Sequence, residues 1–332
     1  MSDGPSSALP HPEVTIGVDL GGTKVAAALL TPEGRLLQHD RRLIHQHADP
    51  ERVVNDVVAT VRDLRVPAGS RVVSLGVGVA GQVRSEDGTV LFAPNLGWRG
   101  FPLGTRLEEI LGYPVSVTND VRAETFGEWK LGAGKGFDDV LCVFIGTGVG
   151  GGIVSGGRLL EGATSSAGEV GHSMLIAGGR RCHCPSSGCL EAYVGGWAIA
   201  VRAQEAVRLH PDQGQLLLEL ATGPEAITAE TVTEACAKRD PLAVAIMSET
   251  ATWLGLGLAG LVNAFNPARL ILGGGIIDHH PDIIEVVHQI VRASAEPPIA
   301  EAVTVVPAAL GPDAGVIGSA LLAHSMNLRS RS

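Results

Sequence analysis

The chain has 332 residues, too many for one core to serve comfortably, so two domains are expected. Hydrophobic residues make up 45% and charged residues 18%, an ordinary globular balance, while aromatics at 4% leave little surface for stacking on nucleic-acid bases. A formal net charge of −10 argues against a general binder of polyanions.

Residues 1–12 read as a disordered polar tail. They have neither a basic n-region nor an apolar h-region, so no secretory leader is expected. Val14–Asp19 and Lys24–Leu30 are apolar, β-rich runs joined by Leu20-Gly-Gly-Thr23, which predicts strand, glycine turn, strand. The turn places the Asp19 carboxylate at a strand end, beside Gly21, Gly22, Thr23 and Lys24. Glycines leave hairpin amides free to face phosphate oxygens, and Asp19 could hold magnesium, most simply through water. An ordinary glycine hairpin fits the same residues. Arg35–His47 is predicted as a third strand. Val53, Val54, Val57, Val58 and Val61 recur at helical spacing, so Pro50–Leu64 is an amphipathic helix.

Val72–Val79 follows as a buried strand ending at Ala80-Gly81. In Ala93-Pro94-Asn95-Leu-Gly97-Trp98, Asn95 is a turn residue and a candidate ligand-binder. A helix over Leu103–Leu111 and a strand over Val115–Thr118 lead to Asn119-Asp120, ahead of a helix over Ala123–Leu131. The pair suits an N-cap for that helix. It equally suits a general base for a substrate hydroxyl, set where α/β sheets expose ligands.

After Gly132-Ala-Gly-Lys-Gly136 the opening pattern repeats. Val140–Ile145 is a strand, Gly146–Gly152 a glycine turn and Ile153–Ser155 a strand, which predicts two related halves. Gly146-Thr147-Gly148-Val-Gly-Gly151 matches the dinucleotide pattern Gly-x-Gly-x-x-Gly, but that pattern must open a helix. Here it enters a hairpin, so a second phosphate-cradling turn is expected instead. Further helices are predicted around Trp197–Leu209, Leu242–Phe265 and Ile283–Ala295. A strand over Leu270–Leu272 ends in Gly273-Gly274-Gly275. A strand over Val303–Pro307 leads through Gly311–Gly315 into a closing helix, Val316–Ser325. Strands alternating with helices mean an α/β protein. The uncharged stretches Val140–Gly157 and Thr250–Ala268 read as core, with no membrane span.

Glu169-Val-Gly-His172, Cys182-His-Cys184 and Cys189-Leu-Glu191 fall within 23 residues. Three thiols and an imidazole at this spacing suit one tetrahedral zinc ion, with His172, Cys182, Cys184 and Cys189 as ligands and His183 as a rival. Four protein ligands leave no open position, so the metal is structural. Fixed on the loop it staples, Glu169 and Glu191 could grip a polyhydroxylated ligand. Five cysteines, three of them in this knot, argue against a disulfide framework and for the reducing cytoplasm.

Asp19-Leu-Gly-Gly-Thr23, Asn119-Asp120, Gly146-Thr-Gly148, Glu169-Val-Gly-His172 and Cys182-His-Cys184…Gly188-Cys189-Leu-Glu191 together resemble the ROK family of sugar kinases and repressors, from about Thr15 to Leu322. The resemblance implies the actin-like ATPase (ribonuclease-H-like) fold, two similar α/β domains with a cleft between them. Residues 13–121 with about 316–332 would form one, and 122–315, carrying the zinc site, the other. It implies an ATP-dependent hexose kinase using magnesium, with glucose the foremost acceptor, assembled as a homodimer or homotetramer and binding neither nucleic acid nor membrane. By position, Asp120 would be the catalytic base. Asn95, Asn119, Asp120, Glu169, His172 and Glu191 would bind sugar hydroxyls. Asp19, Gly21, Gly22, Thr23 and Lys24, with Gly146, Thr147 and Gly148, would surround the phosphates, and Gly273, Gly274 and Gly275 would lie against the nucleoside.

The chain departs from the family pattern at Pro185, where glycine usually follows the second cysteine. It departs again at Thr164-Ser165-Ser166, where hexose kinases often carry asparagine. N-acetylmannosamine, N-acetylglucosamine, mannose and fructose therefore stay open as acceptors, and polyphosphate as donor. Family repressors carry an N-terminal helix-turn-helix domain. Only about a dozen residues, none Lys or Arg, precede the first strand here, so the kinase branch is expected over a sugar-sensing regulator.

Overall fold

In a computed structural model, residues 12–44 and 49–331 are described. All but the last residue of the expected tail at 1–12, and the far end of the expected strand Arg35–His47, lie outside them. The chain divides into two compact units: residues up to Gly127 with those from Pro312 onward, and Glu128–Gly311. The division falls within the helix that starts at Asp120 and just ahead of the C-terminal helix.

The first unit is built on β1 (Glu13–Leu20), β2 (Lys24–Leu30), β3 (Leu36–Leu43), β4 (Arg71–Val79) and β8 (Val115–Asn119). Between β4 and β8 the chain inserts a small antiparallel sheet of β5 (Gln82–Arg84), β6 (Thr89–Ala93) and β7 (Trp98–Phe101), which the sequence reading did not foresee. The second unit is built on β9 (Val140–Ile145), β10 (Val149–Ser155), β11 (Arg158–Leu159), β12 (Arg269–Gly273) and β13 (Thr304–Pro307). The strand orders are β3-β2-β1-β4-β8 and β11-β10-β9-β12-β13. In each sheet the first three strands in sequence are antiparallel neighbours, and the last two run parallel to the first. The expected internal repeat is therefore realised as two sheets of one topology, the ribonuclease-H-like pattern of actin-like ATPases.

Local chemistry sets these elements. Asp49 caps the valine-striped helix Pro50–Asp63 by accepting the Glu51 N–H at 2.9 Å, and proline opens it. The C-terminal helix Ala314–Arg331 lies directly on β1 and β4. A Cβ at Gly17 or Gly76 would overlap the carbonyl oxygen of Val316 or Ser319. The helix Pro241–Phe265 has the length and apolarity of a membrane span, but half of its most apolar stretch is buried. Arg202 fastens it by donating to Ile246 O, Thr250 Oγ1 and Glu249. It is a core helix of the second unit, as the uncharged stretch from Thr250 onward predicted.

Two expectations change. The expected turn Gly146–Gly152 is only Gly146–Gly148 long, because Gly150, Gly151 and Gly152 pair with Phe144, Val143 and Cys142 in the β9–β10 ladder. Gly151 is small for a different reason: the 3₁₀ turn Val170–His172 packs on it, and a Cβ would come within 2.5 Å of Val170 Cγ2. The helix expected from Ala123 starts at Asp120, because Asn119 Oδ1 accepts the Arg122 N–H at 3.0 Å and caps it there. Short helices at Gln215–Leu220, Ala229–Ala237, Gly275–His279 and Pro297–Ala302 were not anticipated.

Candidate functional site

In the first unit, Asp19 stands on the last turn of β1 and is half-buried. Burial holds its carboxyl above the usual range, while Lys24 and Arg41 pull it partly back. Gly21 N–H closes the hairpin onto Lys24 O at 3.0 Å, and Ile44 N–H takes Thr23 O at 2.9 Å. Among the described residues the Gly22 and Thr23 amides meet no backbone carbonyl, so they stay available to an anion.

Asp120 opens its helix from the end of β8. Its Oδ1 accepts from its neighbour's backbone, Val121 N, at 2.9 Å and from Asn119 Nδ2 at 2.9 Å. Asn119 Nδ2 also donates to Gly81 O at 3.2 Å. The amide of Asn119 is thus spent on capping the helix and orienting Asp120. Asn95 sits exposed in the turn between β6 and β7.

In the second unit the ligand atoms of His172, Cys182, Cys184 and Cys189 all lie within 4.8 Å of one another. Cys182 Sγ is 3.7 Å from His172 Nδ1, and Cys184 Sγ is 3.5 Å from Cys189 Sγ. Tetrahedral zinc with these donors requires ligand separations of roughly 3.5–3.8 Å. Burial pushes the Cys182 thiol up to about 12 and raises Cys189 as well, so these two thiols resist ionising without a cation beside them, whereas the Cys184 thiol is held lower. The donor set fits zinc. The His183 ring stacks on Trp197 at 4.0 Å and 21°, so it is turned away from the thiols. Pro185 is tolerated because Ser186 supplies the N–H that meets Cys184 Sγ at 3.4 Å.

Glu191, two residues past Cys189, ties the knot to the glycine turn. Its Oε2 accepts from Val149 N at 2.9 Å and its Oε1 from Trp197 Nε1 at 3.2 Å. The carbonyls of Gly146 and Thr147 are taken by the N–H groups of Gly196 and Trp197 at 2.9 and 3.0 Å, and the turn's own Thr147 and Gly148 amides meet no backbone carbonyl among the described residues. A Cβ at Gly148 would lie 2.5 Å from Glu191 Oε2. The obstacle is the end of a side chain, so Gly148→Ala should fold yet displace the carboxylate. Affinity for a polyhydroxylated ligand, measured by calorimetry, should fall roughly 10- to 100-fold, about 1.4–2.7 kcal/mol, with little change in Tm. Glu169 is exposed at the start of the Val170–His172 turn and makes no side-chain cap bond.

A cavity of about 800 Å³ opens beside this turn, lined by Gly146, Thr147, Trp197, Thr233, Gly275 and Ile276 among others. Gly275 lines it, whereas Gly273 and Gly274 do not and are small for packing reasons. A Cβ at Gly273 would press on the Phe144 ring at 2.8 Å, and Gly274 has φ +89°. Trp197 and the helix Ala229–Ala237 were missed by sequence reasoning. A lone aromatic reads as core, and the run Thr231-Val-Thr233 mutes the helix signal.

The comparisons agree with this geometry. A model described as the ROK family matches residues 15–326. A glucokinase from Streptomyces coelicolor is 37% identical over 316 residues, covering 94% of this chain and 98% of that protein. A crystal structure of a ROK family glucokinase from Streptomyces griseus, in complex with glucose and AMPPNP, superposes with a TM-score of 0.81 at 38% identity, covering 94% of this chain and 99% of that one. A xylose repressor from Bacillus spizizenii is more distant, 24% identical, covering 95% of this chain and 78% of that protein. With two sheets of one topology, paired glycine turns and a Cys₃His cluster matched along nearly its whole length, the chain belongs to the ROK family.

Proposed function

We propose that the protein is an ATP-dependent glucokinase, transferring the γ-phosphoryl group of ATP to the 6-hydroxyl of glucose. The observation that carries the reading is the Glu191 junction. One carboxylate is bonded to the strand that leaves the phosphate turn and lies two residues from a zinc-type ligand. Identity of 37–38% to glucokinases, against 24% to the repressor, favours the catalytic branch and this sugar.

Phosphoryl transfer depends on positioning and charge compensation more than on covalent chemistry. Asp120 accepts the proton of the attacking hydroxyl, aimed by its bonds to Asn119 and Val121. Glu169, His172 and Glu191, with Asn95, would meet the remaining hydroxyls, while Asn119 holds Asp120 in place. A sugar that leaves one of these groups unpaired loses roughly 1–3 kcal/mol, which separates epimers. The amides of the two glycine turns receive the phosphates. Asp19 would hold magnesium, which offsets charge on the moving phosphoryl group. His172, Cys182, Cys184 and Cys189 would hold zinc, which braces the loop carrying both glutamates.

The cavity beside the second turn takes the nucleoside. Glu225, Glu230 and Glu234 line it, and none of its described lining residues is Lys or Arg. Such a wall accepts a neutral base and repels a longer anionic chain. Polyphosphate should therefore support less than about 1% of the ATP rate in a glucose 6-phosphate assay. The reading is tested by kcat/KM for glucose, mannose, fructose, N-acetylglucosamine and N-acetylmannosamine with ATP and magnesium. Glucose is expected to rank first, and an N-acetylhexosamine in first place would reject it.

A further inference from the structure

Trp197 meets three parts of the second unit at once. It is the second residue of the helix Gly196–Leu209, and its backbone N–H donates to Thr147 O of the phosphate turn at 3.0 Å. Its indole Nε1–H donates to Glu191 Oε1 at 3.2 Å, while Glu191 Oε2 accepts from Val149 N at 2.9 Å. These bonds close a ring running Thr147, Trp197, Glu191, Val149 and back along the chain to the turn. The same indole stacks on His183, held between two of the clustered cysteines, and its residue lines the 800 Å³ cavity.

We propose that Trp197 is a positioning residue that holds the Glu191 carboxylate and the phosphate turn in one arrangement, so that sugar and nucleotide affinities are coupled through it. The proposal rests on the reading that Glu191 meets the sugar. Two donors on opposite oxygens leave Glu191 with lone pairs in fixed directions. Without the indole N–H, Oε1 has no anchor and the carboxylate can rotate away from its hydroxyl partner. A nucleotide that pins the turn pins Thr147 O and Val149 N–H, and through them Glu191. By linkage, glucose must strengthen nucleotide binding by the same factor.

The test compares zinc-loaded native protein with Trp197→Phe, which keeps the apolar ring and its stack but has no donor. Glucose binding is measured by calorimetry with and without AMPPNP. In the native protein AMPPNP should tighten glucose binding about 5-fold or more. In the variant, glucose should bind about 10-fold more weakly and the AMPPNP enhancement should shrink below about 2-fold, with zinc content and Tm retained. In turnover, KM for glucose should rise about 10-fold while kcat changes less than about 3-fold, a split that a general loss of structure would not give. Native-like glucose affinity together with native-like coupling in the variant would overturn the proposal.

Should the variant lose zinc or fold poorly, the native protein still decides. Of its four tryptophan indole N–H resonances, glucose must shift at least one, and no shift in any overturns the proposal. Glu191→Gln separates the readings. If it binds glucose as the native protein does, the Glu191 role falls and this proposal with it. If native protein binds no glucose, the proposed function itself fails.

Discussion

Asp120→Asn should lower kcat for glucose phosphorylation about 10²- to 10⁴-fold, equivalent to roughly 3–5 kcal/mol in the barrier, while the fold survives. The substitution keeps an oxygen where Asn119 Nδ2 and Val121 N now donate, so the start of the Asp120–Lys130 helix is preserved. On the proposed mechanism, what it removes is the capacity to take a proton from the attacking alcohol. KM for glucose should move by less than about 10-fold, because only one of several hydroxyl contacts changes character. Asn119→Ala makes the contrasting case. It strips the cap and the donor to Asp120 together, so it should cost both stability and rate. Steady-state kinetics with circular dichroism melts on the two variants checks both statements. An Asp120→Asn protein with near-native kcat would remove Asp120 from the chemistry.

Cys184→Ser should abolish stoichiometric zinc and raise KM for glucose by about 10-fold or more, with a fall in Tm of roughly 10 °C. Cys189 leads through Leu190 directly into Glu191, and His172 ends the turn that Glu169 begins, so releasing the metal frees both carboxylates. Met174 and Cys189 pair across the knot, as do Arg181 and Ser187, but two isolated bridges would not hold the loop in place of the proposed metal. Plasma-emission analysis gives the metal content, and calorimetry on the same sample gives glucose affinity. Loss of zinc with unchanged glucose affinity would detach the knot from the sugar site.

How far the sequence reached depends on how local each signal is. β1, β2, β4 and β9 are predominantly apolar runs buried along most of their length, and such runs announce themselves. The cysteines were legible because three of the five fall within eight residues of one another along the chain. β5, β6 and β7 were not, being three to five residues long and built from mixed polar sequence around turns. The true extent of the second glycine turn was hidden because glycine serves two purposes there. Gly146 and Gly148 make the turn, while Gly151 makes room for Val170 inside a strand. The bond from Val149 to Glu191 spans 42 residues, and no local pattern announces a contact of that range. Pro185 looked like a lost donor only because the amide that serves Cys184 belongs to the next residue, Ser186.

The account turns on what the protein makes. Zinc-loaded protein given equimolar ATP, magnesium and ¹³C-labelled glucose should yield ADP and a single sugar phosphate, its phosphorus coupled to carbon 6 in the NMR spectrum. A folded, zinc-containing protein that leaves glucose unphosphorylated under those conditions, or attaches the phosphate at another carbon, would contradict it.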